Sequence, residues 1–293
     1  MGIPESQLQT WSNQGATVTA QNTHTSIRNA LSKYSWPASM AYDTYLQGSY
    51  KNFTNIYGNS DVDLVVELTS VFWSNLTESE KQSLGWTPAT YNWNDFRRDV
   101  INALTGYYGN QLVDTSGRKS IKVLPDNGRI KADVVVCGTY RFYENMQIRA
   151  EGITFFTCPG GEQIINYPKQ HFDNGAAKNS DFRTSGWYRQ STRMFKNARD
   201  RIIVSRPEYK DKFPSYYIES LLYNVPDSCF GSSFQDTYVE VVNWLNTQFN
   251  ENNVAEFVCQ NRMYYLFGDS SVQWNTADAQ TLVRQLVELW NSW

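Results

Sequence analysis

Three aspartates and a Gly-Ser pair are the residues in this 293-residue chain whose types and spacing could do chemistry. Asp61-Val62-Asp63 opens an apolar run. Side chains alternate along an extended chain, so Asp61 and Asp63 share one face while Val62 and Leu64 point into a core. Two carboxylates this close repel unless a cation joins them. They are the hard oxygen donors that Mg²⁺ prefers. Asp133 precedes Val134-Val135-Val136 and so starts a buried strand. If that strand neighbours the first, three carboxylates converge. That is enough for two divalent ions, one at an attacking hydroxyl and one at a triphosphate. Upstream, Gly48 lets the backbone approach a phosphate closely, and Ser49 offers a hydroxyl and an amide. Alone, an Asp-x-Asp at a strand edge is as easily a solvated turn. The combination points to metal-dependent phosphate chemistry.

The elements that must position these residues can be read from periodicity. Residues 21–34 read as a helix with Ile27 and Leu31 on one stripe, and 42–46 as a short strand ending at Gly48-Ser49. Residues 61–66 read as a strand bounded by Gly58-Asn59-Ser60, and 92–108 as an amphipathic helix. Strands at 120–124 and 131–136 form a hairpin turned by Asp126-Asn127-Gly128. The second half reads as helices at 191–204, 215–223, 234–249 and 278–290, punctuated by Pro207, Pro214 and Pro226. The expectation is an α+β fold with a mixed-sheet lobe at 1–160 that includes an N-terminal helix. A helical lobe at 161–293 would follow, divided near Gly160-Gly161, with the active site in the cleft between them.

Composition narrows the partners. The chain is 41% hydrophobic, 15% aromatic and 19% charged, which belongs to a folded globular protein. A net charge of -3 gives no global basic field, although Lys and Arg thicken between Lys169 and Lys212. This favours a small phosphorylated ligand over a long nucleic acid. Four cysteines without a CxxC pair, and only two histidines, exclude a zinc-ligand pattern and a disulfide framework. A reducing cytoplasm, no membrane segment and a monomer are the corresponding expectations. The start Met1-Gly2 matches a loose myristoylation pattern that nothing else supports.

Longer stretches carry a resemblance. Gly48-Ser49-Tyr50-Lys51-Asn52-Phe53-Thr54 followed by Ser60-Asp61-Val62-Asp63-Leu64 looks like the GS…DxD motif of polymerase-β-like nucleotidyltransferases. Lys131-Ala132-Asp133-Val134-Val135 is similar to their third-carboxylate strand. Tyr167 to Gly175, with Lys178-Asn179, resembles the lead into a helical lobe. Met194 to Arg199 resembles its phosphate-gripping helix, and Pro214-Ser215-Tyr216-Tyr217 with Glu219 the start of the next helix. Over roughly residues 20 to 260 the pattern is most similar to the bacterial cGAS/DncV-like enzymes of CBASS antiphage defence, and within them to clade E.

The resemblance implies that two nucleoside triphosphates, UTP and ATP foremost, are joined and cyclised with two Mg²⁺ or Mn²⁺ ions. The cyclic product would then signal to a downstream effector. It implies that Lys196, Lys178 and Ser215 meet phosphate, that Tyr216 stacks on a base, and that Asn166 reads one. An amide matches the N3–H and O4 edge of uracil, and base–aromatic stacking contributes ~1–3 kcal/mol. The bland alternatives stay open at this stage: a solvated face for the lysines, an N-cap for Ser215, core packing for Tyr216 and a turn for Asn166. His171 reads as structural. No zinc-ribbon insertion is present, which argues against activation by double-stranded DNA. The stretch from Leu286 to Trp293 is apolar and aromatic and does not read as a free flexible tail, and both an exposed and a packed state stay open for Trp290 and Trp293. Competing functions are a toxin-like enzyme that modifies protein or RNA, and a degenerate nucleotide-binding module.

Overall fold

A computed structural model describes residues 2–15, 17–37, 40–58, 61–126 and 128–293. Met1, Asn59, Ser60 and Asn127 lie outside the described residues. So do parts of the turns expected at Gly58-Asn59-Ser60 and Asp126-Asn127-Gly128.

The helices are α1 (Glu5–Ser12), α2 (Val18–Ser32), α3 (Gly48–Asn52), α4 (Glu78–Ser83), α5 (Trp93–Tyr108), α6 (Pro168–Lys178), α7 (Trp187–Ser205), α8 (Ser215–Asn224), α9 (Phe234–Asn250) and α10 (Thr276–Asn291). The strands are β1 (Tyr42–Leu46), β2 (Val62–Ser74), β3 (Val113–Asp114), β4 (Ile121–Val123), β5 (Ala132–Glu144), β6 (Gln147–Phe156) and β7 (Gln163–Asn166). Among the described residues no helix is long and apolar enough to cross a membrane.

The chain divides into two compact units. One is Ala16–Tyr50 with Asp61–Pro168; the other is Met1–Gly15, Lys51–Ser60 and Lys169–Trp293. The chain therefore passes between them four times, at 15/16, 50/51, 60/61 and 168/169.

The first unit is built on a mixed sheet in the order β1-β2-β5-β4-β3, with β6 paired to β5 and β7. Strands β2 and β5 are parallel, and the other pairs are antiparallel. The even-numbered residues Val62, Leu64, Val66 and Leu68 are fully buried against Ile27 and Leu31 of α2 and Phe96, Val100 and Leu104 of α5. Each such side chain contributes roughly 1.5–3 kcal/mol on burial. A one-residue slip would expose all four, so the apolar set fixes the register. Helix α5 begins at a capping box, in which Asn92 accepts from the amides of Asn94 and Asp95 while Asp95 reaches back to the Asn92 amide. The odd-numbered face carries Val65, Val135 and Cys137 over Trp93, Ile153 and Phe155. The Trp93 indole donates to the Val136 carbonyl at 2.8 Å.

The second unit is helical. Tyr188, Met194, Phe195, Ala198 and Ile202 of α7 pack with Leu221 and Leu222 of α8, Val241 and Leu245 of α9, and Leu282 and Leu286 of α10. Phe195 stacks on Tyr238 at 5.1 Å, and Trp290 stacks on the same Tyr238 at 5.2 Å. Trp293 sits edge-on to Trp11.

These units differ from a division at 160/161. Strand β7 pairs with β6 and stays with the sheet. The N-terminal segment belongs to the helical unit because Ile3 and Leu8 are fully buried in its core. Residues 51–60 join it as well. Arg193 donates to the carbonyls of Ser12 and Phe53, and the Gly15 amide donates to the Asn55 carbonyl at 3.0 Å.

Periodicity finds β1, α2, α5 and α7 to α10 within a few residues, but α1, α6, β6 and β7 escape it. Strands β2 and β5 run beyond their expected ends. Their pairing shifts register between Leu68 and Phe72, which breaks the alternation that marks a strand.

Candidate functional site

The sheet places the three aspartates by register. Residues 62 and 132 are partners on the parallel strands β2 and β5, and Asp63 is the partner of Asp133. One rung earlier the Val62 amide donates to the Lys131 carbonyl at 3.0 Å, which sets residues 61 and 131 side by side. By the pleat, Asp61, Asp63, Lys131 and Asp133 share the face opposite Val62 and Leu64. The row continues through Lys122 of β4, the partner of Asp133, to Asp114 of β3, the partner of Lys122. The Ser120 hydroxyl donates to Asp133 Oδ1 at 3.0 Å.

Gly48 meets this row from β1. Leu46 pairs with Leu64, and the Gln47 amide donates to the Asp63 carbonyl at 2.9 Å. The chain then turns at Gly48, whose φ of +62 favours glycine. A Cβ there would land inside the van der Waals envelope of Asp63 Oδ2. The Gly48 backbone is thus seated directly on the Asp63 carboxylate, with Ser49 next in the chain.

Asp61 is the most exposed of the three, and the Lys131 ammonium forms an ion pair with its carboxylate. That hydrogen bond is the largest reason the Lys131 ammonium is held above the usual lysine range. Burial opposes it, and the charges of Asp61, Asp133 and Asp63 add to it. Among the described residues no group of three or more His, Cys, Asp or Glu side chains closes around an ion position. The aspartates share a face and two adjacent rungs without forming a finished ligand set. Their chemistry fits Mg²⁺ or Mn²⁺: the donors are hard oxygens, and a cationic group already lies against them.

In the helical unit the charged residues are used differently. Glu219 is 4% exposed, and its carboxylate receives the Lys196 ammonium, the Thr54 hydroxyl at 2.7 Å and the Asn52 amide at 3.3 Å. His171 Nε2 lies 2.9 Å from the same carboxylate. Burial by itself would raise the Glu219 carboxyl, but Lys196 and His171 outweigh it and hold the group well below the usual glutamate range.

Lys196 is therefore not the open phosphate-gripping cation expected from its helix. It is 2% exposed, and its ammonium also donates to the Thr54 carbonyl at 3.2 Å. Lys178 is turned inward in the same way. It is 1% exposed and donates to the Val225 carbonyl and to Asp227, so it ties α6 to the chain after α8. In both cases a long side chain on a helix is drawn inward by a carboxylate that sequence spacing does not reveal.

Ser215 begins α8 and accepts from Arg199 Nη2 at 3.1 Å. Tyr216 is 39% exposed, with its ring stacked on His171 at 5.1 Å and its hydroxyl accepting from the Asn261 amide. Asn166 is exposed at the end of β7, opposite Ile153 in the sheet unit. The sheet unit thus brings together Gly48, Asp63 and Asp133, with Asp61 beside Lys131. Ser215 and Tyr216 adjoin one another in the helical unit. Sequence resemblance places Lys131 in the third-carboxylate stretch without a role, yet period-two spacing from Asp133 already sets it on the aspartates' face.

Residues 173–291 match the cGAS/DncV-like nucleotidyltransferase C-terminal helical domain. The chain belongs to the cGAS/DncV-like nucleotidyltransferases. Within that family its place is the CdnE branch, clade E. It is 48% identical to the cyclic UMP-AMP synthase of Rhodothermus marinus, over 100% of this chain and 99% of that protein. It is 38% identical to the cyclic nucleotide synthase CdnE01 of Staphylococcus haemolyticus, over the full length of both. The solved structure of the Rhodothermus CdnE synthase with Apcpp and Upnpp superposes with a TM-score of 0.91, covering 99% of this chain and 97% of that one.

Proposed function

We propose that this protein joins two nucleoside triphosphates, at least one of them UTP, into a cyclic dinucleotide. In each of two steps a ribose hydroxyl oxygen bonds to an α-phosphorus. The bond from that phosphorus to the bridging oxygen breaks, pyrophosphate leaves and the hydroxyl proton is released. Asp61, Asp63 and Asp133 would hold Mg²⁺ or Mn²⁺, two ions per site. Asp61 and Asp63 would serve both ions, and Asp133 the one at the attacking hydroxyl. When bound, such ions neutralise triphosphate charge and acidify the hydroxyl.

The protein's own groups do the rest. Gly48 and Ser49 present backbone and hydroxyl to the phosphates beside Asp63. Ser215, reinforced by Arg199, offers a second phosphate contact. Tyr216 stacks on a base, and Asn166 reads the uracil edge. A phosphate role for Lys196 requires its pair with Glu219 to open, and one for Lys178 its ties to Asp227. The reaction runs in the cytoplasm, in a monomer. The product serves as the second messenger of an antiphage system and acts on a downstream effector.

The observation that carries this reading is Asp63 and Asp133 on one rung of parallel strands, with Gly48 seated on Asp63. Its test is incubation with the four ribonucleoside triphosphates and Mg²⁺ or Mn²⁺, phosphatase treatment and mass spectrometry. A phosphatase-resistant cyclic dinucleotide containing uridine is expected. Label transferred to protein or RNA, with no small product, would favour the modifying enzyme instead.

A further inference from the structure

Lys131 has no part in the chemistry above, yet it occupies a telling place. Because residues 62 and 132 are register partners, the residues before them lie side by side. The pleat turns Lys131 onto the aspartate face. Its ammonium is ion-paired with Asp61, one register step from the Asp63–Asp133 pair on the same face. The pair is partly open to solvent, with side-chain exposures of 33% for Lys131 and 44% for Asp61. An ion pair this accessible can exchange partners, unlike the sealed pair of Lys196 and Glu219. Lys122 also lies on this face. It lies between Asp133 and Asp114 in the strand register.

We propose that Lys131 is a resident counter-ion of the metal site, neutralising Asp61 while no ion is bound and giving up that carboxylate when a divalent ion arrives. The inference rests on the assignment of Asp61, Asp63 and Asp133 as metal ligands. A lysine in this position keeps like charges from splaying the strand ends apart. It also weakens ion binding, because each incoming ion must break the pair and then sit near a positive charge. Metal occupancy is thereby biased toward the moment when a triphosphate supplies additional negative charge.

The test is Mn²⁺ binding to the full-length protein without nucleotide, read from the free-Mn²⁺ electron paramagnetic resonance signal. Lys131→Met should bind Mn²⁺ about tenfold more tightly, the size expected for removing one screened charge beside a divalent ion. Lys131→Arg, which keeps the charge, should bind as the unaltered protein does. If Lys131→Met does not fold, Lys131→Gln carries the same expectation. Unchanged or weaker binding in the neutral variant would overturn the inference, since a lysine that only orients Asp61 would help the ion. Asp63→Asn separates the two levels. Loss of Mn²⁺ binding there, with no change in Lys131→Met, removes the counter-ion role and leaves the metal site standing. Undiminished binding in Asp63→Asn removes both.

Discussion

The Asp61–Lys131 pair on the sheet and the Glu219–Lys196 pair in the helical unit join the same two kinds of charge, in opposite surroundings. The first has side-chain exposures of 44% and 33%; the second has 5% and 2%. Beyond Lys131, the sheet row offers the Asp63 carboxylate to an approaching backbone at Gly48 and sets Asp133 on the adjoining strand. The helical pair is closed over by Asn52, Thr54 and His171, which satisfy Glu219 internally. A charge in contact with solvent can change partners in a reaction. A charge sealed among hydrogen bonds holds the fold, and removing one member strands the other.

That contrast can be broken at several points. The largest effect belongs to the sheet. Asp61→Asn with Asp63→Asn should lower product formation by at least ~1,000-fold, the scale of losing several kcal/mol of metal-borne charge stabilisation. Thermal unfolding should be essentially unaltered, because neither group is sealed in a core. Product at a near-normal rate would dissolve the distinction from the active side.

Glu219→Gln should do the reverse. Breaking a buried pair costs ~3–5 kcal/mol of stability, visible in urea unfolding whatever happens to activity. Acid gives an independent check. Glu219 is held below its ordinary value near 4.5, so its contribution is present above that pH and is lost as pH falls. The melting temperature of the natural protein should therefore fall below pH ~4.5 more steeply than that of Glu219→Gln. Parallel curves would mean that Glu219 is no internal anchor.

Gly48→Ala tests how tightly the sheet row is assembled. Its methyl would push Asp63 aside at a left-handed backbone position that costs an L-residue ~1–2 kcal/mol. A shift of that kind should reduce kcat by about 100-fold, with only modest loss of stability. The smallest effect is expected at Asn166→Ser, where one side-chain amide is exchanged. The ratio of uridine to purine in the product should change by about tenfold, in keeping with a net hydrogen-bond contribution of ~1 kcal/mol. An unchanged ratio would leave base choice to other residues.

The same contrast explains how much was legible in the sequence. The sheet face could be read because strand alternation is local: Asp61 and Asp63 must share a side, and the valines after Asp133 announce a buried neighbour. What that reading needed was the pairing of two strands far apart in the chain, and the parallel register of β2 and β5 supplies it. The helical unit was legible as helices but not as chemistry. Which face of α7 turns inward depends on Glu219, and on Asn52 and Thr54, which lie more than a hundred residues away. No spacing rule on α7 contains that information, so Lys196 looked like a surface cation. Helix α6 escaped because Pro168, Gly175 and polar neighbours leave it little apolar stripe, although it carries buried His171 and Lys178.

The repeated passage of the chain between its two units has a consequence for how such proteins diversify. Neither unit is an unbroken stretch of sequence: residues 51–60 belong with the helices while the stretches on either side belong with the sheet. No single crossover between two genes could exchange one unit for a relative's. Nor could one proteolytic nick, at Gly160-Gly161 or elsewhere, release either unit intact. Exchange of a whole unit between relatives would need more than one crossover.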